Sequence, residues 1–359
     1  MRILICPDKF KGSLTASEVC DAVEEGLRQN FQDADIIKLP LADGGEGTMK
    51  ILTQFFNGQI VKVKVHGPLF EEVEAEYGMA GDTAFVEMAS ASGLQLVEKH
   101  KRDPLNTTTL GTGELIKHAI EHGASKIILG IGGSSTNDAG IGMASALGFR
   151  FYNTKNELLS PVGKNLVHID RIESPQGKID VTALCDVNNP LFGTNGAAYV
   201  YGPQKGATPE GVELLDQGLR NFEDVVRKTF NRSADFPGAG AGGGIAGGAG
   251  IFFNLKIERG VNYIMETLNV FREIEAADLV ITGEGKIDRQ TLAGKVVATV
   301  AGHGKNVIAV CGICELRENE TKKIGLRQVI SLVDPFTSPD EAIKNSALLI
   351  TRKMATFTP

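Results

Sequence analysis

The chain reads as a two-domain α/β protein, with a parallel-sheet domain built from both ends of the sequence and a mixed α/β domain inserted between them. Three observations predict this. Arg2-Ile-Leu-Ile-Cys6, a helical pattern from Thr15 to Leu27 and Asp35-Ile-Ile-Lys-Leu39 form a β-α-β unit. Far along the chain, Ala277 to Asp288 is again strand then glycine turn, followed by apolar strands at Val307–Val310 and Gln328–Val333. The middle differs: Val61-Lys-Val-Lys-Val65 alternates cleanly, and Glu72–Met79 and Ala84–Ala89 join across Gly81-Asp82 as a hairpin. At 359 residues the chain also exceeds a usual single core. The expected bounds are 1–64 plus 283–359 for the first domain and 65–282 for the inserted one.

Each element has a local reason. Pro7 ends the first strand, and Thr15-x-x-Glu18 is a capping-box pattern that opens the first helix. Ala42-Asp-Gly-Gly-Glu-Gly-Thr48 precedes a second helix, Met49 to Phe56. A hydroxyl- and glycine-rich stretch, Leu105 to Glu114, leads into a helix ending near Gly123. Lys126-Ile-Ile-Leu129 is a buried strand that runs into Gly130-Ile-Gly-Gly-Ser-Ser-Thr-Asn-Asp-Ala-Gly140 and a short helix stopped by Gly148. Asp180 to Cys185 is another strand, and residues Pro209 to Phe230 are helical, with Leu214, Leu215, Leu219 and Phe222 on one side. Pro237 to Gly250 holds eight glycines in fourteen residues, which reads as a flexible linker or as a loop whose backbone packs against a flat ligand or another loop. Gln290 to Val300 is expected to be a helix with Lys295 about one turn inside.

Composition excludes several functions. Hydrophobic content of 42% and charged content of 23% suit a soluble globular enzyme, and a net charge of −7 without a basic run argues against nucleic acid. No signal peptide or membrane-spanning run is visible, and five sparse cysteines suit a reducing cytoplasm, so the expected location is cytoplasmic and no membrane partner is expected. Cys311-Gly-Ile-Cys314 has redox spacing but ends an apolar strand, so two buried or half-buried thiols are expected there. Glycine is high, 43 residues, and concentrates in loops beside polar side chains.

Those loops carry the chemistry. Loops beyond the carboxyl ends of strands bind ligands in open α/β sheets. Here they hold acids and amides (Asp8, Asp43, Glu46, Asn137, Asp138, Asp186, Asn188, Glu284, Asp288) beside lysines (Lys9, Lys11, Lys205, Lys286, Lys295). The glycine turn at 130–138 should present backbone N–H groups to an anion, with Ser134, Ser135 and Thr136 adding hydroxyls and Asn137 and Asp138 adding oxygens for Mg²⁺ or a hydroxyl. The mixture fits phosphoryl transfer, which needs cations on the transferring group, carboxylates for Mg²⁺ and a carboxylate near the attacking hydroxyl. No Walker motif, dinucleotide fingerprint or zinc spacing is present. A non-catalytic sensor of a phosphorylated acid is the alternative, and the density of carboxylates argues against it.

Asp8-Lys-Phe-Lys-Gly-Ser-Leu14, Ala42-Asp-Gly-Gly-Glu-Gly-Thr48, Gly111-Thr-Gly-Glu-Leu115, Gly130 to Asp138, Cys185-Asp-Val-Asn-Asn-Pro190, Gly202-Pro-Gln-Lys-Gly206 and Thr282-Gly-Glu-Gly-Lys-Ile-Asp288 together resemble the signatures of the bacterial class I glycerate kinases. The resemblance implies phosphorylation of D-glycerate by ATP with Mg²⁺, with 2-phosphoglycerate favoured over 3-phosphoglycerate. It also implies one flavodoxin-like and one mixed domain with the site in the cleft between them. Carried onto this sequence, it points to Asp288 or Asp186 as proton acceptor, with Asp288 preferred, and to Lys9 as a catalytic lysine. Asp43, Glu46 and Asp138 are the expected metal ligands. Asp8, Lys11, Gly44, Gly45, Thr112, Gly132, Gly133, Ser134, Ser135, Asn137, Asn188, Lys205, Glu284 and Lys295 are the expected substrate- and phosphate-binding residues. Which loop takes ATP and which takes glycerate stays open, as does an oligomer.

Overall fold

A computed structural model describes residues 1–358. Its strands are β1 (Arg2–Ile5), β2 (Asp35–Lys38), β3 (Gln59–His66), β4 (Glu72–Ala80), β5 (Thr83–Glu87), β6 (Lys126–Gly130), β7 (Arg150–Tyr152), β8 (Arg171–Glu173), β9 (Asp180–Leu184), β10 (Asn254–Glu258), β11 (Leu279–Ile287), β12 (Val307–Cys314) and β13 (Leu326–Ser331). The chain divides into two compact units, Met1–Asp43 with Val261–Pro359, and Gly44–Gly260.

In the first unit the sheet runs β13-β12-β11-β1-β2, all parallel. Counted within the unit this is the 2-1-3-4-5 order of flavodoxin-like sheets, and the order reverses between β1 and β11. The strands are apolar because both faces are covered: Ile3, Ile5, Leu279, Ile281, Ile308 and Val310 are buried in one core, and Leu4, Val280 and Ala309, which alternate with them, are buried on the other face. The helix Ala16–Leu27 starts with the expected capping box, the Thr15 hydroxyl accepting from the Glu18 N–H and the Glu18 carboxylate accepting from the Thr15 N–H. It packs on the helix Ser346–Ala355 through Gly26, where a Cβ would lie 2.4 Å from the Thr351 carbonyl oxygen.

The second unit holds a six-stranded mixed sheet, β10-β9-β6-β5-β4-β3. β3, β4 and β5 pair antiparallel, and β5, β6, β9 and β10 pair parallel. A small antiparallel pair, β7 and β8, stands apart. The strand Ala277–Thr282, assigned to the inserted domain from sequence, belongs to β11 and so to the parallel sheet. Residues 44–64 belong to the mixed unit, because the helix Thr48–Phe55 packs on β4 and β5. The unit boundaries therefore fall at 43/44 and 260/261 instead of 64/65 and 282/283.

Pro237–Gly250 is no flexible linker. Ala241–Phe252 is a helix buried in the unit core, with three left-handed glycines, Gly242 to Gly244, in its first turn. Absence of side chains lets it lie directly on the 136–139 backbone: a Cβ at Gly243 would sit 2.0 Å from the Thr136 carbonyl oxygen, and one at Gly248 1.8 Å from that of Ala139. The helix expected from Gln290 is split into a 3-10 turn, Thr291–Ala293, and a helix Val296–His303, so Lys295 is its N-cap residue and not an interior one.

Candidate active site

In the first unit, the carboxyl ends of β1 and β11 meet where the strand order reverses, the place where such sheets bind ligands. The Asp8 N–H donates to the Gly283 carbonyl (2.8 Å) and the Thr282 hydroxyl to the Cys6 carbonyl (3.0 Å), so the two loops are fixed to each other. Asp8 is buried and accepts from the Lys9 N–H at 2.7 Å. Burial pushes its carboxyl up to about 6; the Lys9 ammonium opposes this and Asp43 adds to it. Lys9 Nζ lies between the two acids, 3.7 Å from Asp8 and 3.8 Å from Asp43. Glu284 is buried as well, and its carboxyl is pushed up to about 7, chiefly by burial. The hydrogen bond from the Thr291 hydroxyl (2.6 Å) and the Lys295 charge oppose the rise. Two carboxyls near neutrality beside two lysines make a proton-accepting, anion-attracting cluster. Lys11 is exposed at its rim.

Asp288, the expected base, is engaged differently. Its carboxylate accepts from the Gln290 N–H (2.8 Å) and lies 3.5 Å from Lys286, while its own N–H donates to the Thr291 hydroxyl (3.1 Å). That is a turn-stabilising acid. Sequence reasoning named Glu284 but placed the proton elsewhere, because Glu284 and Asp8 are joined only by the pairing of β1 with β11.

In the second unit, β6 and β9 are parallel neighbours, so the 130–138 turn and Asp186 to Asn188 emerge at one edge. Asp186 and Asn188 are exposed, and Asp186 lies 3.9 Å from Arg259. Gly44 and Gly45 lie over the turn. A Cβ at Gly130 would approach the Gly44 carbonyl oxygen to 2.7 Å, and one at Gly132 would be 3.3 Å from Gly45 Cα, so glycines allow backbone to meet backbone there. Glu46 is exposed beside them. Asn137 is fully buried, and neither of its side-chain amide atoms, nor the buried Thr136 hydroxyl, has a hydrogen-bond partner among the described residues. Orphaned polar groups of this kind mark a place where a ligand or water completes the pairing.

Several expected ligands of the turn serve the turn itself. Asp138 is fully buried and accepts from the Thr109 N–H and hydroxyl (both 2.8 Å) and from the N–H groups of Gly140 and Gly142, so its carboxylate is engaged in holding the turn. The Ser135 hydroxyl donates to the Ser92 carbonyl. Thr112 is buried, its hydroxyl paired with Ser92 and the Met88 carbonyl. Lys205 is also buried. Its ammonium donates to the Ser134 hydroxyl (2.7 Å) and the Thr136 carbonyl (2.6 Å), so it clamps the turn. Burial lowers it to about 7, opposed by the Asp138 charge. The cysteines behave as expected: Cys311 is buried and Cys314 half-buried, both free. The Cys311 thiol holds Cys314 down to about 6.

A flavodoxin-like sheet with a neutral-poised acid pair and lysines at its switch point, together with a glycine turn carrying orphaned amides, defines an α/β enzyme acting on an anionic small molecule. Comparison with known proteins makes this specific. The profile of the glycerate kinase family matches residues 3–358. A glycerate kinase of Bacillus cereus is 45% identical over 96% of this chain and 93% of its own length. A glycerate 2-kinase of Escherichia coli is 42% identical, over 96% and 94%. A crystal structure from Salmonella typhimurium LT2, assigned as glycerate kinase 2, superposes with a TM-score of 0.85 at 41% identity, covering 99% of this chain and 96% of that one. The chain belongs to the glycerate kinase family, and it is a phosphotransferase with an alcohol group as acceptor. Among the described residues no helix is long and apolar enough to cross a membrane.

Proposed function

We propose that this enzyme transfers the terminal phosphoryl group of ATP to the 2-hydroxyl of D-glycerate. The observation that carries the chemistry is the Asp8–Glu284 pair at the switch point, with Lys9 and Lys295 beside it. Glu284, poised near neutrality, accepts the proton of the attacking hydroxyl as the new O–P bond forms and the bond to ADP breaks. Lys9 and Lys295 offset the charge that spreads over the transferring oxygens. The glycine turn with Gly44, Gly45 and Asn137 receives an anionic group, either the glycerate carboxylate or a phosphate. Choice of the 2-hydroxyl is supported by the name of the Escherichia coli relative.

Mg²⁺ characteristically keeps several waters and takes one or two carboxylates plus substrate phosphates. The first unit offers one acid suited to that mode: Asp43, 3.8 Å from Lys9, would hold it. When bound, it would neutralise charge on the phosphates. The reading extends to a cytoplasmic enzyme in which a closed assembly is not required. The test is ATP consumption on adding D-glycerate with and without Mg²⁺, with the product identified by phosphorus NMR. No ATP turnover with D-glycerate, or a purely 3-phosphorylated product, overturns the corresponding half of the proposal. Asp43→Asn should raise the Mg²⁺ concentration needed for half-maximal rate, and an unchanged Mg²⁺ dependence removes Asp43 from the metal.

A further inference from the structure

A groove of about 580 Å³ opens in the first unit, beyond the carboxyl ends of β11 and β12. This lies within the range of roughly 300–1,000 Å³ of small-molecule sites. It is lined by Asp288, Arg289 and Gln290, which follow β11, by Glu315, Leu316 and Arg317, which follow β12, and by Glu320. Asp288 of this lining is linked to the acid–lysine cluster by the buried Thr291, whose hydroxyl donates to Glu284 and accepts from the Asp288 N–H.

The lining chemistry selects the occupant. Three carboxylates face two guanidiniums, which disfavours a small anion such as glycerate. Glu320 accepts from the Arg317 N–H (2.9 Å) and Asp288 from the Gln290 N–H, so both are occupied. Among the described residues the Glu315 carboxylate pairs only with Lys286, at 2.9 Å, an exposed pair of the kind worth about 0–1 kcal/mol and readily exchanged. Arg289 and Arg317 are exposed and have no ion pair among the described residues. A guanidinium stacks on planar rings, Leu316 offers an apolar face, and a carboxylate at the end of a parallel strand accepts ribose hydroxyls.

We propose that this groove seats the nucleoside of the phosphoryl donor, its base against Leu316 and the faces of Arg289 and Arg317, its ribose hydroxyls on Glu315. This rests on the ATP-dependent reading above and adds which unit holds the nucleotide. The phosphates then run past Asp288 and Thr291 toward Glu284, Lys295 and Lys9.

The test compares wild type with Arg289→Ala, Arg317→Ala and the double variant, by calorimetric binding of ATP and of adenosine and by steady-state kinetics. Both arginines are exposed, so melting temperatures should stay at the wild-type value. Stacking contacts of this kind predict roughly tenfold weaker ATP binding in each single variant. The KM for ATP should rise in step, with the KM for glycerate and kcat retained, and adenosine should bind wild type but not the double variant. ATP and adenosine binding unchanged in the double variant overturns the groove assignment. Wild-type enzyme that binds ATP in the groove yet does not phosphorylate glycerate would instead overturn the reaction and leave the groove standing.

Discussion

Glu284 illustrates how a site residue trades stability for chemistry. Its folded carboxyl titrates at about 7 against an ordinary 4.5, so the folded state holds a proton that the unfolded chain releases. Its contribution to stability is fully present below about 4.5 and is lost as pH rises through about 7. Glu284→Gln should therefore melt higher than wild type at pH 8, with the gap closing toward pH 5, while turnover falls by ~10²–10⁴-fold. Equal melting shifts at both pH values would show that the carboxyl is not raised. Lys205 runs the other way: lowered to about 7, its contribution is present above its ordinary 10.5 and is lost as pH falls through about 7. Lys205→Met leaves the Thr136 carbonyl unpaired, at a cost of ~1–3 kcal/mol, and should lower kcat/KM through a loosened turn. Lys205→Met with unchanged stability and unchanged glycerate KM would mean the clamp does not matter. The sequence identified these residues as important because they sit in glycine-rich loops at strand ends. It did not show the partners of Asp138, Lys205 and Thr112, because Thr109, Ser134 and Ser92 lie 20–71 residues away and only packing brings them together.

At the scale of elements, local chemistry was legible where it was self-contained. Thr15 with Glu18, the residue 209–230 helix and the β4–β5 hairpin follow from their own residues. Ala241–Phe252 did not, since a glycine-rich string looks the same whether it is solvated or pressed against another backbone. What decides is the 136–139 turn on its other side. Gly248→Ala should accordingly destabilise far beyond the usual preference of helices for alanine. The added methyl has to displace backbone at 1.8 Å, an overpacking cost of typically ~1–3 kcal/mol, readable as a lower denaturant midpoint. A midpoint raised by the substitution would mean the helix is free to move off the turn.

At the scale of the molecule, a division into a parallel-sheet part and a mixed part could be read from hydrophobic patterning, but its boundaries could not. Asp43 and Gly44 are successive residues of one motif yet belong to different units, and no composition shift marks the change. The segment Gly44–Gly260 expressed alone should be soluble and unfold in one cooperative transition, with circular dichroism and fluorescence coincident. The segment 65–282, cut through the second helix's sheet and through β11, should not.

Gly44 and Gly260 touch: a Cβ on the former would lie 2.9 Å from the Cα of the latter. The two ends of the mixed unit therefore leave it side by side. For the parallel sheet, which must place β1 beside β11, the intervening chain is an enormous loop while unfolded, with a closure cost of about 5 kcal/mol by the logarithmic length rule. Once the mixed unit has folded, that loop has shrunk to a hairpin's span. Assembly should then be hierarchical, with the middle of the chain acquiring protected amides first and the two ends waiting for it. Pulse-labelled hydrogen exchange during refolding reads this order directly: protection in β6 and β9 ahead of β1 and β11 is the expected sequence, and simultaneous or reversed protection would show that the ends find each other unaided.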